Sequence, residues 1–173
     1  GSSVVVYKDL GLVSQVFDEA TLATLQGYLA IGHTRYSTTG STTWENAQPS
    51  FRTTSAGTGF ALGHNGNLVN TVELFEQARA AGTLRRNDLG ATTDSDLLTA
   101  LLAARPDVSV EQAAMDVLPQ LRGAFSLVFM DETTLYAARD PQGVRPLVLG
   151  RLERGWVITS ETAALDIVGA SFV

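Results

Sequence analysis

Three short stretches of this chain hold residue types suited to binding and polarising a small polar substrate. They are Gly32-His33-Thr34-Arg35-Tyr36-Ser37-Thr38-Thr39-Gly40, Gly63-His64-Asn65-Gly66-Asn67-Leu68 and Thr92-Thr93-Asp94-Ser95-Asp96. In the first, Arg35 follows an apolar run and enters a loop of Gly, Ser and Thr. A guanidinium there grips a carboxylate through two parallel charge-assisted hydrogen bonds, although taken alone it more often pairs with a structural carboxylate. In the second, Asn65-Gly66 has two readings. Asn-Gly between strand-like runs is the strongest short hairpin signal. Alternatively, the Asn65 side-chain amide and the Gly66 N–H converge on one point. Two such donors would stabilise a developing oxyanion, and the missing side chain would let substrate approach the backbone. In the third, Asp94 opens a helix, where a carboxylate complements the helix dipole or receives a substrate ammonium. Together, a carboxylate-binding Arg, an ammonium-binding Asp and an Asn/Gly donor pair would recognise an α-amino acid and promote acyl transfer at its side chain.

Other chemistries find less support. His33 and His64 are the only histidines, and no third ligand stands at a metal-binding spacing. No Gly-x-Ser-x-Gly elbow, P-loop or dinucleotide fingerprint is present. The chain has no cysteine, which excludes a disulfide scaffold, a thiolate zinc site and an iron–sulfur centre within this stretch. A net charge of −6, with Arg85-Arg86 the only adjacent basic pair, argues against nucleic acid as a partner. Apolar runs such as 124–130 are too short to span a bilayer, and Gly1-Ser2-Ser3-Val4 shows no signal peptide. The expectation is a cytoplasmic protein with no membrane partner.

The elements that must position these residues follow from patterning. With 173 residues, 45% of them hydrophobic and 17% charged, the chain reads as one domain over 1–173. Residues 4–7 and 29–33 predict buried strands, and Asp18 predicts the cap of a short helix through Gln26. Residues 37–43 read as a loop. Strand-like runs 60–63 and 67–69 flank Asn65-Gly66. Asn70 and Glu73 have capping-box spacing for a helix that Gly82 ends. A second helix spans 94–104 with Pro106 beyond, and Ser109 with Gln112 starts a third that ends near Gly123. Runs 125–130, 135–138, 147–149 and 156–159 suggest an antiparallel meander, and Ser160 a cap for a final helix over 161–168. Strands and helices in blocks predict an α+β fold.

Three of these motifs, His33-Thr34-Arg35-Tyr36-Ser37-Thr38-Thr39-Gly40, His64-Asn65-Gly66-Asn67-Leu68 and Asp94-Ser95-Asp96, resemble those of the class II glutamine amidotransferases. Within that class they are similar to the amidophosphoribosyltransferase family. Three further runs fit the same pattern: Tyr7-Lys8-Asp9-Leu10-Gly11-Leu12-Val13, Arg139-Asp140-Pro141-Gln142-Gly143-Val144-Arg145-Pro146-Leu147 and Ser160-Glu161-Thr162-Ala163-Ala164-Leu165-Asp166. The resemblance implies a four-layer αββα sandwich of two antiparallel sheets, of the N-terminal-nucleophile hydrolase type. It implies that Arg35 binds the glutamine α-carboxylate and Asp94 the α-ammonium, that Asn65 and Gly66 form the oxyanion hole, and that Tyr36 and Ser37 line the pocket. It further implies that an N-terminal cysteine attacks the glutamine amide and that the released ammonia displaces pyrophosphate from phosphoribosyl pyrophosphate.

Two departures qualify that implication. The family's nucleophilic cysteine would precede Ser2-Ser3-Val4, yet residue 1 is Gly, and the chain stops at Val173. The expectation is a partial amidotransferase domain, incomplete at its N-terminus and inactive as it stands. Its partners would be L-glutamine and a phosphoribosyltransferase domain of the same polypeptide, in a homo-oligomeric parent. No cofactor is expected in this chain, since magnesium belongs to the phosphoribosyltransferase domain. The alternatives are a non-catalytic amino-acid-binding module and another class II amidotransferase.

Overall fold

The computed structural model describes residues 3–35, 44–84, 93–105 and 107–173. Two short helices, α1 (Val13–Val16) and α2 (Glu19–Thr24), open the chain. The Asp18 carboxylate caps α2 by accepting from the Thr21 N–H at 2.7 Å, as its sequence position predicts. A four-stranded antiparallel sheet comes next, in the order β1 (Ser50–Thr53), β2 (Gly59–Leu68), β3 (Gly123–Met130), β4 (Leu135–Arg139).

β2 lies at the heart of the domain, paired with β1 on one edge and β3 on the other. Alternate residues of a strand share a face, so Phe60, Leu62 and His64 point the same way. That face packs on three helices, α3 (Thr71–Ala80), α4 (Asp94–Ala103) and α5 (Val110–Val117), with α4 between the other two. Leu97, Leu98, Leu101 and Leu102 of α4 join Phe60, Leu62, Leu127 and Phe129 in one apolar cluster. Phe60, Leu62, Leu98 and Leu127 are wholly buried. Truncating such a leucine to alanine costs about 2–5 kcal/mol, so this layer anchors whatever β2 and α4 carry at their ends.

The helix starts follow from local chemistry. The Thr93 hydroxyl accepts from the Asp96 N–H at 3.1 Å, and Ser109 from the Gln112 N–H at 3.1 Å. Gly82, with φ +66°, ends α3 in the left-handed conformation that glycine adopts without penalty.

A second antiparallel sheet, in the order β6-β5-β7, comprises β5 (Val148–Leu152), β6 (Gly155–Thr159) and β7 (Ser171–Phe172). The last helix, α6 (Thr162–Val168), packs on it through Leu165, which is almost wholly buried. Two antiparallel sheets, each backed by helix, make the expected α+β class.

Several local expectations are corrected. Residues 4–7 and 29–33 form no strand: a β-branched run becomes one only where a neighbour completes its ladder, and among the described residues neither segment has such a partner. Both instead line a cleft of about 700 Å³ that also touches Ala61 and Met130. The Asn70 side chain does not cap α3; it bridges to the Gln120 carbonyl and the Arg122 N–H, both at 3.0 Å. α2 ends at Thr24, before Gln26. α5 ends at Val117, where a 3₁₀ turn carrying Pro119 takes over. Ser160 caps nothing; Glu161 precedes α6, its N–H bonded to the Thr159 hydroxyl at 3.0 Å. The anticipated meander divides between the two sheets. The loop 140–147 separates them, folded around the Asp140 carboxylate, which accepts from the Gln142 and Val144 N–H groups.

Candidate active site

Asn65 and Gly66 lie inside β2, eliminating the hairpin reading of that pair. A tight Asn-Gly turn needs both residues at positive φ, whereas among the described residues positive φ occurs only at glycines, Gly66 among them at +153°. Gly66 is required for another reason. A Cβ on it would lie 2.1 Å from the Ala124 carbonyl oxygen and 2.7 Å from the Phe125 Cα, so β2 and β3 meet there backbone to backbone.

The edge of β2 that faces away from β3 carries the N–H groups of His64, Gly66 and Leu68 at two-residue intervals. β1 covers only the beginning of this edge, its pairing ending at Ser50 opposite Leu62. Beyond β1, the Gln48 side chain takes over the ladder. Its Oε1 accepts from the His64 N–H at 2.7 Å and its Nε2 donates to the His64 carbonyl at 3.2 Å. At the far end the Leu68 N–H donates to Asp94 Oδ2 at 3.3 Å. Gly66 stands between these two engaged positions. Its register partner Phe125 directs both its N–H and its carbonyl to Asp140, at 3.2 and 2.9 Å. The Gly66 amide is therefore turned from β3 toward the open stretch between Gln48 and Asp94.

Asp94 is the first residue of α4, with its side chain about one-fifth exposed. Oδ1 accepts from the Ser95 N–H at 2.8 Å and lies 3.6 Å from His64 Nδ1. Burial by itself would raise this carboxyl. The interaction with His64 and the Leu68 and Ser95 amides outweigh it and hold the group below the ordinary carboxylate value. The start of the helix favours the same anionic form.

Arg35 donates from Nη1 to the Asn46 carbonyl at 2.9 Å, within the short 3₁₀ turn Trp44–Asn46 that leads into Gln48. Lys8 ties the same turn down. Its Nζ donates to the Ala47 carbonyl at 2.8 Å and lies 4.8 Å from the Trp44 ring centre, while Trp44 Nε1 donates to the Lys8 carbonyl at 2.8 Å. Asn65 is half-buried, and its side-chain amide has no hydrogen-bond partner among the described residues. Tyr36, Ser37 and the rest of the loop 37–43 lie outside the described residues.

The structure thus brings Gly66 and Asp94 onto one strand edge and ties Arg35 to the segment that caps it. The sequence assigns no role in this site to Gln48, His64 or Ser95. Gln48 leaves no signal but its place before Pro49. His64 adjoins Asn65, yet the groups its ring faces, Asp94 and Ser95, are 30 and 31 residues away. Among the described residues, no group of three or more His, Asp or Glu is arranged to hold a metal ion, and no helix is long and apolar enough to cross a membrane.

Helix-backed antiparallel sheets with a carboxylate and a backbone amide on one strand edge fit the N-terminal-nucleophile type of α+β domain. The chain belongs to the glutamine amidotransferase domain family, which matches it over residues 33–167. It is 71% identical over 175 residues to an amidophosphoribosyltransferase of Mycobacterium tuberculosis, covering 100% of this chain and 33% of that protein. It is 36% identical over 174 residues to one of Bacillus subtilis, covering 100% of this chain and 36% of the relative. The solved glutamine phosphoribosylpyrophosphate amidotransferase from B. subtilis, complexed with ADP and GMP, superposes with a TM-score of 0.80 at 34% identity, over 94% of this chain and 34% of that one. The chain spans about a third of the length of the curated relatives it matches.

Proposed function

We propose that this domain binds L-glutamine and stabilises the oxyanion formed as the side-chain amide is hydrolysed. In this reading Asp94 receives the α-ammonium, Arg35 the α-carboxylate, and the Gly66 N–H and Asn65 amide the oxyanion; Tyr36 and Ser37 line the pocket. The observation that carries it is the Leu68–Asp94 hydrogen bond, which seats an anionic carboxylate two residues along the strand edge from the outward-turned Gly66 amide. The 173 residues contain no cysteine, so they supply recognition and oxyanion stabilisation while the attacking thiolate comes from outside them. Attack on the amide carbon releases ammonia and leaves a glutamyl thioester, which water cleaves to glutamate.

The identity to proteins named amidophosphoribosyltransferase supports a destination for that ammonia. A phosphoribosyltransferase domain of the same polypeptide would use it to form phosphoribosylamine from phosphoribosyl pyrophosphate, the first step of de novo purine synthesis, in a cytoplasmic homo-oligomer. Magnesium is assigned to that domain, and no cofactor to this one.

The test is glutamate release from L-glutamine by the full-length protein carrying this domain and by the 173-residue chain. Activity in the full-length protein alone agrees with the proposal. Activity in the short chain would place the nucleophile among these residues and overturn it. Glutamine binding without release in both would favour a non-catalytic amino-acid-binding module.

A further inference from the structure

The imidazole of His64 is almost wholly buried behind the β2 edge, 4% exposed, and the chemistry proposed above does not use it. Its Nδ1 lies 3.1 Å from the Ser95 hydroxyl and 3.6 Å from Asp94 Oδ1. The Ser95 hydroxyl lies in turn 3.5 Å from Asp94 Oδ1. The direction of this chain follows from what each group has to give. An ionised carboxylate only accepts, so Ser95 Oγ–H is directed to Asp94, and the Ser95 lone pair is left to accept from His64 Nδ1–H. Nε2 has no partner among the described residues, and a buried ring nitrogen is better tolerated unpaired as a bare acceptor than as an N–H. The network therefore assigns the proton to Nδ1, aimed at Ser95 and Asp94.

The ring itself has little freedom. The His64 N–H and carbonyl are both clamped by Gln48, and its carbonyl also accepts from His33 Nε2 at 3.1 Å. A fixed ring can fix what it touches. Asp94 sits at a helix start with its side chain partly exposed, where a carboxylate has other rotamers open to it. Leu68 N–H holds one oxygen; the other accepts from the Ser95 backbone N–H at 2.8 Å and faces the Ser95 hydroxyl at 3.5 Å, with His64 Nδ1 behind that hydroxyl.

We propose that His64 is a positioning residue for substrate selection: through the Ser95 hydroxyl it holds Asp94 Oδ1 in the orientation that receives a substrate α-ammonium. It touches no reacting atom. The inference rests on the reading of Asp94 proposed above. Its consequence is selectivity for an amide bearing an α-amino group over the same amide without one.

The experiment compares kcat/KM for L-glutamine with that for 4-carbamoylbutanoate, its analogue lacking the α-amino group, in the full-length protein. His64→Ala should raise the glutamine KM by about five- to tenfold, the worth of one buried hydrogen bond, and leave the analogue nearly unaffected. His64→Asn, whose amide donor lies near the Nδ1 position, should recover most of the selectivity. Ser95→Ala breaks the relay without touching the ring and should also lower it, so the idea stays testable if His64→Ala does not fold. Equal losses for both substrates in a folded His64 variant would make the ring merely structural and overturn the proposal. So would unchanged selectivity in Ser95→Ala. Asp94→Asn separates the two levels. If it abolishes selectivity while the His64 and Ser95 variants do not, only the positioning role falls. If Asp94→Asn itself keeps selectivity, the ammonium assignment falls and this inference falls with it.

Discussion

The Gln48 side chain lies against His64 as a neighbouring strand would, accepting its N–H at 2.7 Å and donating to its carbonyl at 3.2 Å. The backbone ladder between β1 and β2 stops at Ser50 opposite Leu62, one outward-facing position short of His64. A primary amide restores it because one planar group carries both a donor and an acceptor. The edge that bears Gly66 is thereby held from both ends, by Gln48 and by Asp94.

Gln48→Ala should leave the His64 N–H without this partner, at about 1–3 kcal/mol, while the His64 carbonyl keeps its bond from His33 Nε2. Thermal unfolding of the full-length protein reads this as a lower Tm. Gln48→Glu keeps the acceptor, loses the donor and sets a carboxylate against a carbonyl, so it should destabilise as well. No change in Tm for either variant would mean that water replaces the clamp without loss.

Asn65 and Gly66 should respond differently to alanine. Asn65→Ala removes an amide with no described partner and should leave stability nearly intact while kcat falls by about 10²–10³. Gly66→Ala puts a methyl group 2.1 Å from the Ala124 carbonyl oxygen and should cost about 1–3 kcal/mol or more in folding free energy. Steady-state kinetics beside denaturant melts separates the two effects. An Asn65→Ala enzyme with normal kcat would remove that side chain from the chemistry.

Arg35→Ala should raise the glutamine KM by roughly 10–100-fold, the scale of a lost charge-assisted hydrogen bond, with a smaller change in kcat. Product inhibition by glutamate should weaken in parallel, since it shares the α-carboxylate. If ammonia-dependent and glutamine-dependent rates fell equally, the arginine would act only by holding the Trp44–Asn46 turn.

His33 predicts a pH dependence of stability. Burial holds its imidazole below the ordinary value of 6.5; the hydrogen bond to the His64 carbonyl opposes that, and the nearby charge of Arg35 adds to it. Because the folded value lies below the unfolded one, the unfolded chain takes up the proton first. The contribution is complete above the unfolded value and is lost as pH falls through the folded one. Tm should therefore decline as pH is lowered from about 7.5 to about 5. His33→Gln keeps a donor near Nε2 but cannot titrate, so its decline should be shallower. Parallel curves would assign the slope elsewhere.

The helices are legible in the sequence because their signals are local. Ser109 bonds Gln112 three residues on, Gly82 stops α3 at a left-handed φ, and the leucines of α4 repeat at helical spacing. The strands are less so. Asn65-Gly66 mimics a turn, and only the approach of Ala124 and Phe125 shows why glycine stands in mid-strand. The apolar runs 4–7 and 29–33 carry strand composition, but pairing belongs to two segments and neither run declares its partner. Asn70 has capping-box spacing, yet Gln120 and Arg122, some 50 residues on, win its side chain. The site divides in the same way. Arg35, Asn65, Gly66 and Asp94 stand out by type and motif. Gln48, His64 and Ser95 act through contacts that fold, not spacing, creates.

The row of same-sided amides on β2 also works as a ruler. Strand residues two apart recur at about 6.5–7 Å, a repeat set by backbone geometry and insensitive to side chains. On the proposed assignment, one graduation is marked by Asp94 at Leu68 and the next by the Gly66 amide. A substrate is then measured by the span between its ammonium and its carbonyl oxygen. Glutamine's chain bridges one graduation, while asparagine, a methylene shorter, leaves its carbonyl short of the mark. Substrate length would thus be read by the pitch of a β-strand, a dimension that substitution of neighbouring side chains cannot easily alter.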